Sequence, residues 1–387
     1  AQVFDAVLGG DFFAPWPGRD ELERDLSWRL MALADDYEAQ LDTARRWKKE
    51  WHFRVGVHHL RGLISGRDVG AQYADLAEAV LAALWPVVVD EFARKHGVPP
   101  GRGAALIGMG SLGARSTSAT SDLDLIVIYD AAGVEASEGR RPLASRTYYA
   151  RLTQAMVTAL SAPMPEGKLY EVDMRLRPSG RQGPVATSLD SFRTYQREEA
   201  WTWEHLALTR ARAVAGSAGI GADVDAVRTD VLAAARDAAK TVADVVEMRA
   251  RIEDAKGGGA GPYEAKIGPG RLQDIELLGQ CATVLAGAGP RDVEGQIACG
   301  VDIGWFDADA ADTLCGAYDL LWRLQSAAKL LTDGRLDLDA IGLGGREFLL
   351  RETGAETVDD LASEIERRVL AAQTEIETAL AHPLKGG

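Results

Sequence analysis

Three aspartates and a glycine-rich turn are the residues of this sequence whose types and spacing could do chemistry. Asp122 and Asp124 lie one residue apart at the start of an apolar run, and Asp173 lies in a second short run about fifty residues later. Alternate side chains of a strand share a face, so Asp122 and Asp124 point the same way. If the two runs are neighbouring strands, the three carboxylates converge, and such hard oxygen ligands suit Mg²⁺.

A turn at Gly110 and Ser111 precedes the first two aspartates. Backbone N–H groups of such a turn, together with the Ser111 hydroxyl, can contact the outer phosphates of a nucleoside triphosphate. Two Mg²⁺ ions would stabilise the attacking and the leaving oxygens of an in-line displacement at phosphorus. The combination predicts a nucleotidyltransferase in which Asp122, Asp124 and Asp173 are both metal ligands and catalytic residues.

The same turn also fits the dinucleotide-binding fingerprint. Its glycines would be Gly108, Gly110 and Gly113, with Asp130 as the acidic residue at a strand end. However, the segment between Gly113 and Leu123 consists mostly of Ser, Thr and Asp and is too short for the crossover helix of a βαβ unit. This alternative also leaves the first two aspartates without a role.

Composition limits the class of protein. With 387 residues, 47% hydrophobic and 26% charged, the chain is long enough for two or three domains around a substantial core. A net charge of −15 argues against nucleic acid as a partner, because binding to phosphate backbones depends on clustered Lys and Arg. Cys281, Cys299 and Cys315 are scattered, which is typical of reduced, buried thiols. No apolar run approaches membrane-spanning length, so we expect no membrane association and a cytoplasmic location.

The apolar pattern divides the chain into three parts. Helical spacing over 20–51 and 71–95 predicts an N-terminal helical region, 1–98. Short apolar strands at 104–107, 123–129 and 168–176, with a helix at 146–160, predict a catalytic domain, 99–215. Helical periodicity then predicts a C-terminal helical bundle, 216–387. Within it, the glycine- and proline-rich segment 256–270 reads as a mobile loop or interdomain linker.

Several segments resemble one family, the bifunctional glutamine synthetase adenylyltransferase/adenylyl-removing enzymes of the polymerase-β-like nucleotidyltransferase superfamily. They are residues 108–113, 121–125, 170–180, 195–205 and 210–212. Residues 199–205 look like the C-terminal half of such an enzyme, the half that adenylylates. The family commonly has lysine at position 111 and glycine at position 114, whereas Ser111 is usual in the wider superfamily.

The resemblance implies an α+β fold: a polymerase-β-like core with a small mixed sheet, flanked by N-terminal helices and a C-terminal helical bundle. It implies transfer of AMP from ATP to a tyrosine of glutamine synthetase, with Mg²⁺, as part of the regulation of nitrogen assimilation. A PII-type signal protein and glutamine would be the regulators. Two alternatives stay open, namely the phosphorolytic, adenylyl-removing half and a non-catalytic regulatory interaction module.

Carried over by position, Asp122, Asp124 and Asp173 match the metal-binding carboxylates, and Gly110 with Ser111 matches the phosphate-contacting turn. Arg175 and Arg177 follow the third aspartate, and we expect them either to contact the triphosphate or leaving pyrophosphate or to fix the carboxylates by a salt bridge. Residues 270–276 are similar to a glycine-rich family segment that ends in Asp274-Ile-Glu276. Their role is open, and capping of a helix start is the alternative.

Overall fold

The computed structural model describes residues 12–256, 261–382 and 384. Within them, helices precede and follow one small mixed sheet, which confirms the expected α+β class. No helix in this part of the chain combines the length and the hydropathy that crossing a bilayer requires.

Three helices open the described chain: α1 (Arg19–Met31), α2 (Tyr37–Leu60) and α3 (Gly66–His96). The single helical stretch expected over 20–51 is wrong, because Asp36 lies in extended backbone and caps α2 by accepting a hydrogen bond from the Ala39 N–H. The second expectation, 71–95, is confirmed by α3. This helix begins earlier than expected because Ser65 and Asp68 form a capping box.

The sheet contains β1 (Gly103–Gly108), β2 (Leu123–Asp130), β3 (Val172–Asp173), β4 (Thr187–Ser188) and β5 (Arg212–Gly216). Strand β1 lies between β2 and β5 and is antiparallel to both. Strands β3 and β4 run parallel to β2 along its other edge. The first two expected strands are therefore confirmed.

The third expected strand, 168–176, is wrong in length, since only Val172 and Asp173 pair with β2. Before them, the Leu169 and Tyr170 N–H groups bond to the carbonyl of Leu160. After them, the Asp173 carboxylate accepts the Arg175 N–H at 2.8 Å and turns the chain away from the sheet. Apolar alternation in 168–176 therefore does not fix the length of the strand, because Tyr170, Val172 and Met174 pack against one core whether or not their backbone pairs.

Both faces of the sheet are covered. Side chains of Leu106, Leu125 and Val127 pack with α3 and with α5 (Ser145–Ser161), the helix expected over 146–160. A short turn of helix, α4 (Gly110–Gly113), follows β1. The opposite face, which includes Ile107 and Ile126, packs beneath further helices. These are α6 (Leu189–Glu198), α7 (Thr202–Leu208) and α8 (Ala218–Ala233).

The remaining helices form a second apolar core. They are α9 (Ala238–Lys256), α10 (Leu272–Ala286), α11 (Val293–Asp302), α12 (Ala308–Leu331), α13 (Gly342–Thr353) and α14 (Val358–Ala381). Of the segment expected to be a loop or linker, residues 257–260 lie outside the described residues. Residues 261–270 pack on this bundle, since Ala265 is buried and Gly270 lies against the Val369 carbonyl. This part is not a solvent-exposed linker.

Candidate functional site

The structure places two of the predicted aspartates side by side. Asp124 on β2 and Asp173 on β3 are register partners in a parallel pair, so their side chains leave the same face of neighbouring strands. Asp122 lies two residues before Asp124, just ahead of β2. The expectation that the two aspartate-bearing segments are neighbours is confirmed.

The predicted phosphate turn is adjacent to Asp124. The Met109 N–H donates to the Asp124 carbonyl at 2.9 Å, which fixes the start of the turn against β2. Gly110 has a φ of 50°, and a Cβ at this position would collide with the Asp124 carboxylate. Ser111 follows, and its carbonyl accepts the Ser116 N–H at 2.9 Å. Glycine at 110 is thus required both by the backbone conformation and by the nearby carboxylate.

Asp124 is the electrostatic centre of the site. Burial raises its pKa to about 6, and the neighbouring charges of Asp122 and Asp173 act in the same direction. Lys266 and Arg175 oppose this rise. A carboxyl group with two like charges beside it favours either a proton or a cation.

Asp173 has a different environment because Arg175 pairs with it. The Arg175 guanidinium lies 2.5 and 2.6 Å from the Asp173 carboxylate. Burial alone would raise the pKa of Asp173, but the hydrogen bonds from Arg175 outweigh burial and the pKa lies below its ordinary value. Of the two roles expected for Arg175, the salt bridge is the one present in this structure. Its side chain is 64% exposed and remains accessible.

The three carboxylates neighbour one another without enclosing a common cation position. Among the described residues, no group of three or more His, Cys, Asp or Glu side chains is arranged to hold a metal ion. The Asp173 carboxylate instead pairs with Arg175, whose guanidinium supplies positive charge beside it. The donor set nevertheless fits Mg²⁺, because all three groups are carboxylates and the charges of Asp122 and Asp173 act on Asp124.

Arg177 is used by the loop that follows Asp173. Its guanidinium donates to the carbonyls of Met174 at 2.8 Å, Arg181 at 3.1 Å and Gly183 at 3.2 Å. These bonds close the loop 174–183 upon itself. A contact between Arg177 and nucleotide stays a prediction.

Sequence reasoning missed Lys266, which comes from the segment expected to be a linker. Its charge lowers the pKa of Asp124, so the C-terminal part of the chain contributes a cation near the site. Backbone bonds hold the segment, since the Leu272 N–H donates to Ala265 and the Gln273 N–H donates to Lys266. The available signal was the position of Lys266 four residues before Gly270, where the family-like segment begins.

The family-like segment 270–276 has structural contacts. Asp274 accepts the Gly270 N–H at 2.8 Å and a guanidinium donor of Arg249 at 2.7 Å, which anchors the start of α10. Glu276 forms an ion pair of 3.1 Å with Arg210. Helix-start anchoring therefore accounts for Asp274, and Glu276 joins α10 to the segment that precedes β5.

The sheet topology excludes the dinucleotide alternative. Strands β1 and β2 are antiparallel and no crossover helix joins them, whereas the fingerprint requires a parallel βαβ unit. Asp130 is also occupied, since it pairs with Arg102 at 2.9 Å. The glycines of the turn instead allow close packing, as at Gly113, where a Cβ would collide with the Arg210 carbonyl.

Comparison with known proteins adds an independent line of evidence. A family model described as glutamate-ammonia ligase adenylyltransferase matches residues 2–227. The bifunctional glutamine synthetase adenylyltransferase/adenylyl-removing enzyme of Mesorhizobium japonicum is 41% identical over 91% of this chain and 36% of its own length. Proteins of the same name are similar in Brucella suis, at 40% identity over 94% of this chain and 37% of theirs, and in Bradyrhizobium diazoefficiens, at 36% over 100% and 39%. The chain thus spans between 36% and 39% of the length of these relatives.

Proposed function

The chain belongs to the glutamate-ammonia ligase adenylyltransferase family, and from this premise we propose that it transfers AMP from ATP to a tyrosine of glutamine synthetase. The observation that carries the proposal is the pairing of Asp124 with Asp173 on neighbouring parallel strands, with the Gly110 turn against the Asp124 carboxylate. A site of this kind joins a cation-binding edge to a turn suited to phosphate.

In this proposal Asp122, Asp124 and Asp173 would together hold two Mg²⁺ ions. Bound Mg²⁺ supplies charge neutralisation for the phosphates and for the oxygens that attack and leave. Gly110 and Ser111 contact the outer phosphates, and Arg175, which is exposed at the edge of the site, contacts the triphosphate or the leaving pyrophosphate. Arg177 supports these contacts from within the loop 174–183.

The tyrosine oxygen attacks the α-phosphorus in line with the departing pyrophosphate, so one O–P bond forms as another breaks. A phenol with a pKa of about 10 is a poor nucleophile at neutral pH. We assign Asp173 as the acceptor of the phenol proton, because its carboxylate lies beside Asp124 at the site that would bind Mg²⁺ and the phenol oxygen. We also propose that the reaction occurs in the cytoplasm, and that a PII-type signal protein and glutamine regulate it.

Incubation of the chain with Mg²⁺, α-labelled ATP and glutamine synthetase tests the proposal. We expect labelled AMP on the acceptor and a loss of about a hundredfold or more in D124N, because the charge of one of the three neighbouring carboxylates is removed. D130N is the matched control, since Asp130 lies at the other end of the same strand, and it should retain activity. Near-normal incorporation by D124N would refute the site.

The printed name of the relatives covers two activities, and the chain spans only part of those proteins. Adding phosphate to adenylylated glutamine synthetase and measuring ADP separates the removing activity from transfer. Release of ADP without any labelling in the forward assay would assign the chain to the removing half. Absence of both products would favour a regulatory interaction module.

A further inference from the structure

An arginine network holds the far end of the turn 110–113, and its centre is a carboxylate on α3. Glu78 is 2% exposed and accepts two hydrogen bonds from Arg212, of 2.7 and 2.8 Å, and one of 3.2 Å from Arg115. Asp75, one helical turn earlier, pairs with Arg115 at 2.5 Å. The guanidinium of Arg19 lies 3.6 Å from Glu78. Removing Glu78 from water is costly, and these charged hydrogen bonds offset the cost.

Arg212 and Arg115 also form hydrogen bonds with the turn itself. Arg212 donates to the carbonyls of Leu112 at 2.9 Å and Gly113 at 3.3 Å. Its position is set by β5, where it is the register partner of Gly108, the last residue of β1. Arg115 follows the turn with a φ of 57°, in the left-handed region, and its own N–H bonds to the Leu112 carbonyl at 3.2 Å.

The other end of the turn lies against the aspartates. Gly110 contacts Asp124 so closely that a Cβ would collide, and at Gly113 the Arg210 carbonyl leaves no space for one. The turn is therefore fixed between Asp124 on one side and the Arg212 guanidinium on the other. A shift of the guanidinium changes where the turn's N–H groups point relative to Asp124.

We propose that Glu78 is a positioning residue of the nucleotide site, which acts through Arg212 and Arg115 to set the turn 110–113 for the phosphates of ATP. The inference rests on the proposed function, because it takes this turn to be the phosphate contact. It predicts that the network controls nucleotide affinity and leaves recognition of the protein acceptor unchanged.

The test compares R212K and E78Q with the wild-type chain. Lysine keeps the charge of Arg212 but cannot bridge Glu78 and two carbonyls at once. R45K is the matched control, because Arg45 is a buried arginine of α2 that likewise donates to backbone carbonyls, those of Leu41, Ala159 and Gly167. Binding of a fluorescent ATP analogue with Mg²⁺ is measured by titration, at a temperature where thermal unfolding shows every variant to be folded.

We expect R212K and E78Q to weaken nucleotide binding by about tenfold or more, and R45K by no more than about twofold. In the labelling assay the KM for ATP should rise while the KM for glutamine synthetase stays constant. The double variant R212K/E78Q should bind no more weakly than the worse single variant, since the two residues act as one unit.

Nucleotide affinity in R212K equal to that of R45K would overturn the inference, and so would losses that multiply in the double variant. If E78Q does not fold, the comparison of R212K with R45K decides alone. A wild-type chain that does not bind nucleotide would instead refute the proposed function, and with it the phosphate role of the turn.

Discussion

At the scale of single residues, the electrostatics of Asp124 distinguish it from Asp130, the other aspartate of the same strand. Burial and two neighbouring carboxylates raise its pKa to about 6. Asp130, at the other end of β2, has the opposite environment, because the Ala132 N–H and Arg102 lower its pKa. On the same strand, ionisation of Asp124 therefore lowers the stability of the fold, whereas ionisation of Asp130 raises it.

These pKa shifts predict opposite effects of the same substitution. Because the folded state binds a proton at Asp124 more tightly than the unfolded state, the metal-free protein loses stability as pH rises from about 4 to about 6. D124N removes this penalty, so we expect it to raise the free energy of unfolding by about 2 to 3 kcal/mol at neutral pH, and by almost nothing near pH 4. D130N should lower it at neutral pH. Urea unfolding in EDTA measures both, and a destabilised D124N would contradict the assigned environment.

Substitution of Gly110 by alanine is expected to impair activity through a clash confined to the site. G110A places a methyl group against the Asp124 carboxylate, and we expect transfer activity to fall by about tenfold or more. G133A is the matched control, because Gly133 also has a positive φ, of 78°, but an added Cβ meets nothing within 4 Å. Both variants bear a backbone strain of about 1 kcal/mol, so equal activities in labelled-ATP assays would argue against the contact.

At the scale of elements, α2 supports both loops that carry the aspartates. His52 contacts the Ala119 carbonyl at 2.8 Å, in the loop before Asp122. One turn earlier on the same helix, Lys48 lies 4.8 Å from the ring centre of Tyr170, in the segment before Asp173. One face of a single helix therefore helps to set the distance between the loops.

We expect the loop before Asp122 to require a neutral N–H donor at position 52. Burial lowers the pKa of His52 to about 4, so the ring is neutral at physiological pH and donates through Nε2 to the Ala119 carbonyl. H52L should lower transfer activity by about tenfold, because the Asp122 loop loses its support, whereas H52Q keeps a donor and should lose about threefold at most. Equal losses in both variants would show that the ring's packing matters rather than its hydrogen bond.

At the scale of the whole molecule, the C-terminal bundle is joined to the sheet by a nearly buried charge. Arg210, 2% exposed, precedes β5, and its principal partner is Glu276 on α10 at 3.1 Å. Gln296 on α11 adds a weak contact of 3.4 Å. Lys266, whose charge lowers the pKa of Asp124, belongs to the same C-terminal part of the chain.

The Arg210–Glu276 ion pair predicts that a single substitution at Glu276 causes a large loss of stability. E276A leaves the Arg210 guanidinium buried without its carboxylate, and we expect the free energy of unfolding to fall by about 3 kcal/mol. E294A is the control, because Glu294 also joins α11 to α3 through Arg67, but both side chains are largely exposed, and its cost should be about 0 to 1 kcal/mol. Equal midpoints in chemical denaturation would show that the Arg210 pair is not a structural joint.

Local chemistry made several features readable from the sequence. The aspartate spacing, the glycine turn and the helix 146–160 follow from side-chain period and backbone freedom, which are properties of neighbouring residues. The limits of the third strand and the break at Asp36 could not be read, because hydrogen-bond partners across the chain decide them. For the same reason Lys266 was assigned to a linker, although its charge acts on Asp124.

The sequence by itself determined which groups are present at the site: three carboxylates, a turn that only glycine can form, and a family membership that these motifs indicate. The tertiary structure decided their states, because burial, register and long-range ion pairs depend on residues far apart in the chain. The fold raises the pKa of Asp124 through burial and through the charge of Asp173, and it places Glu78 behind the turn.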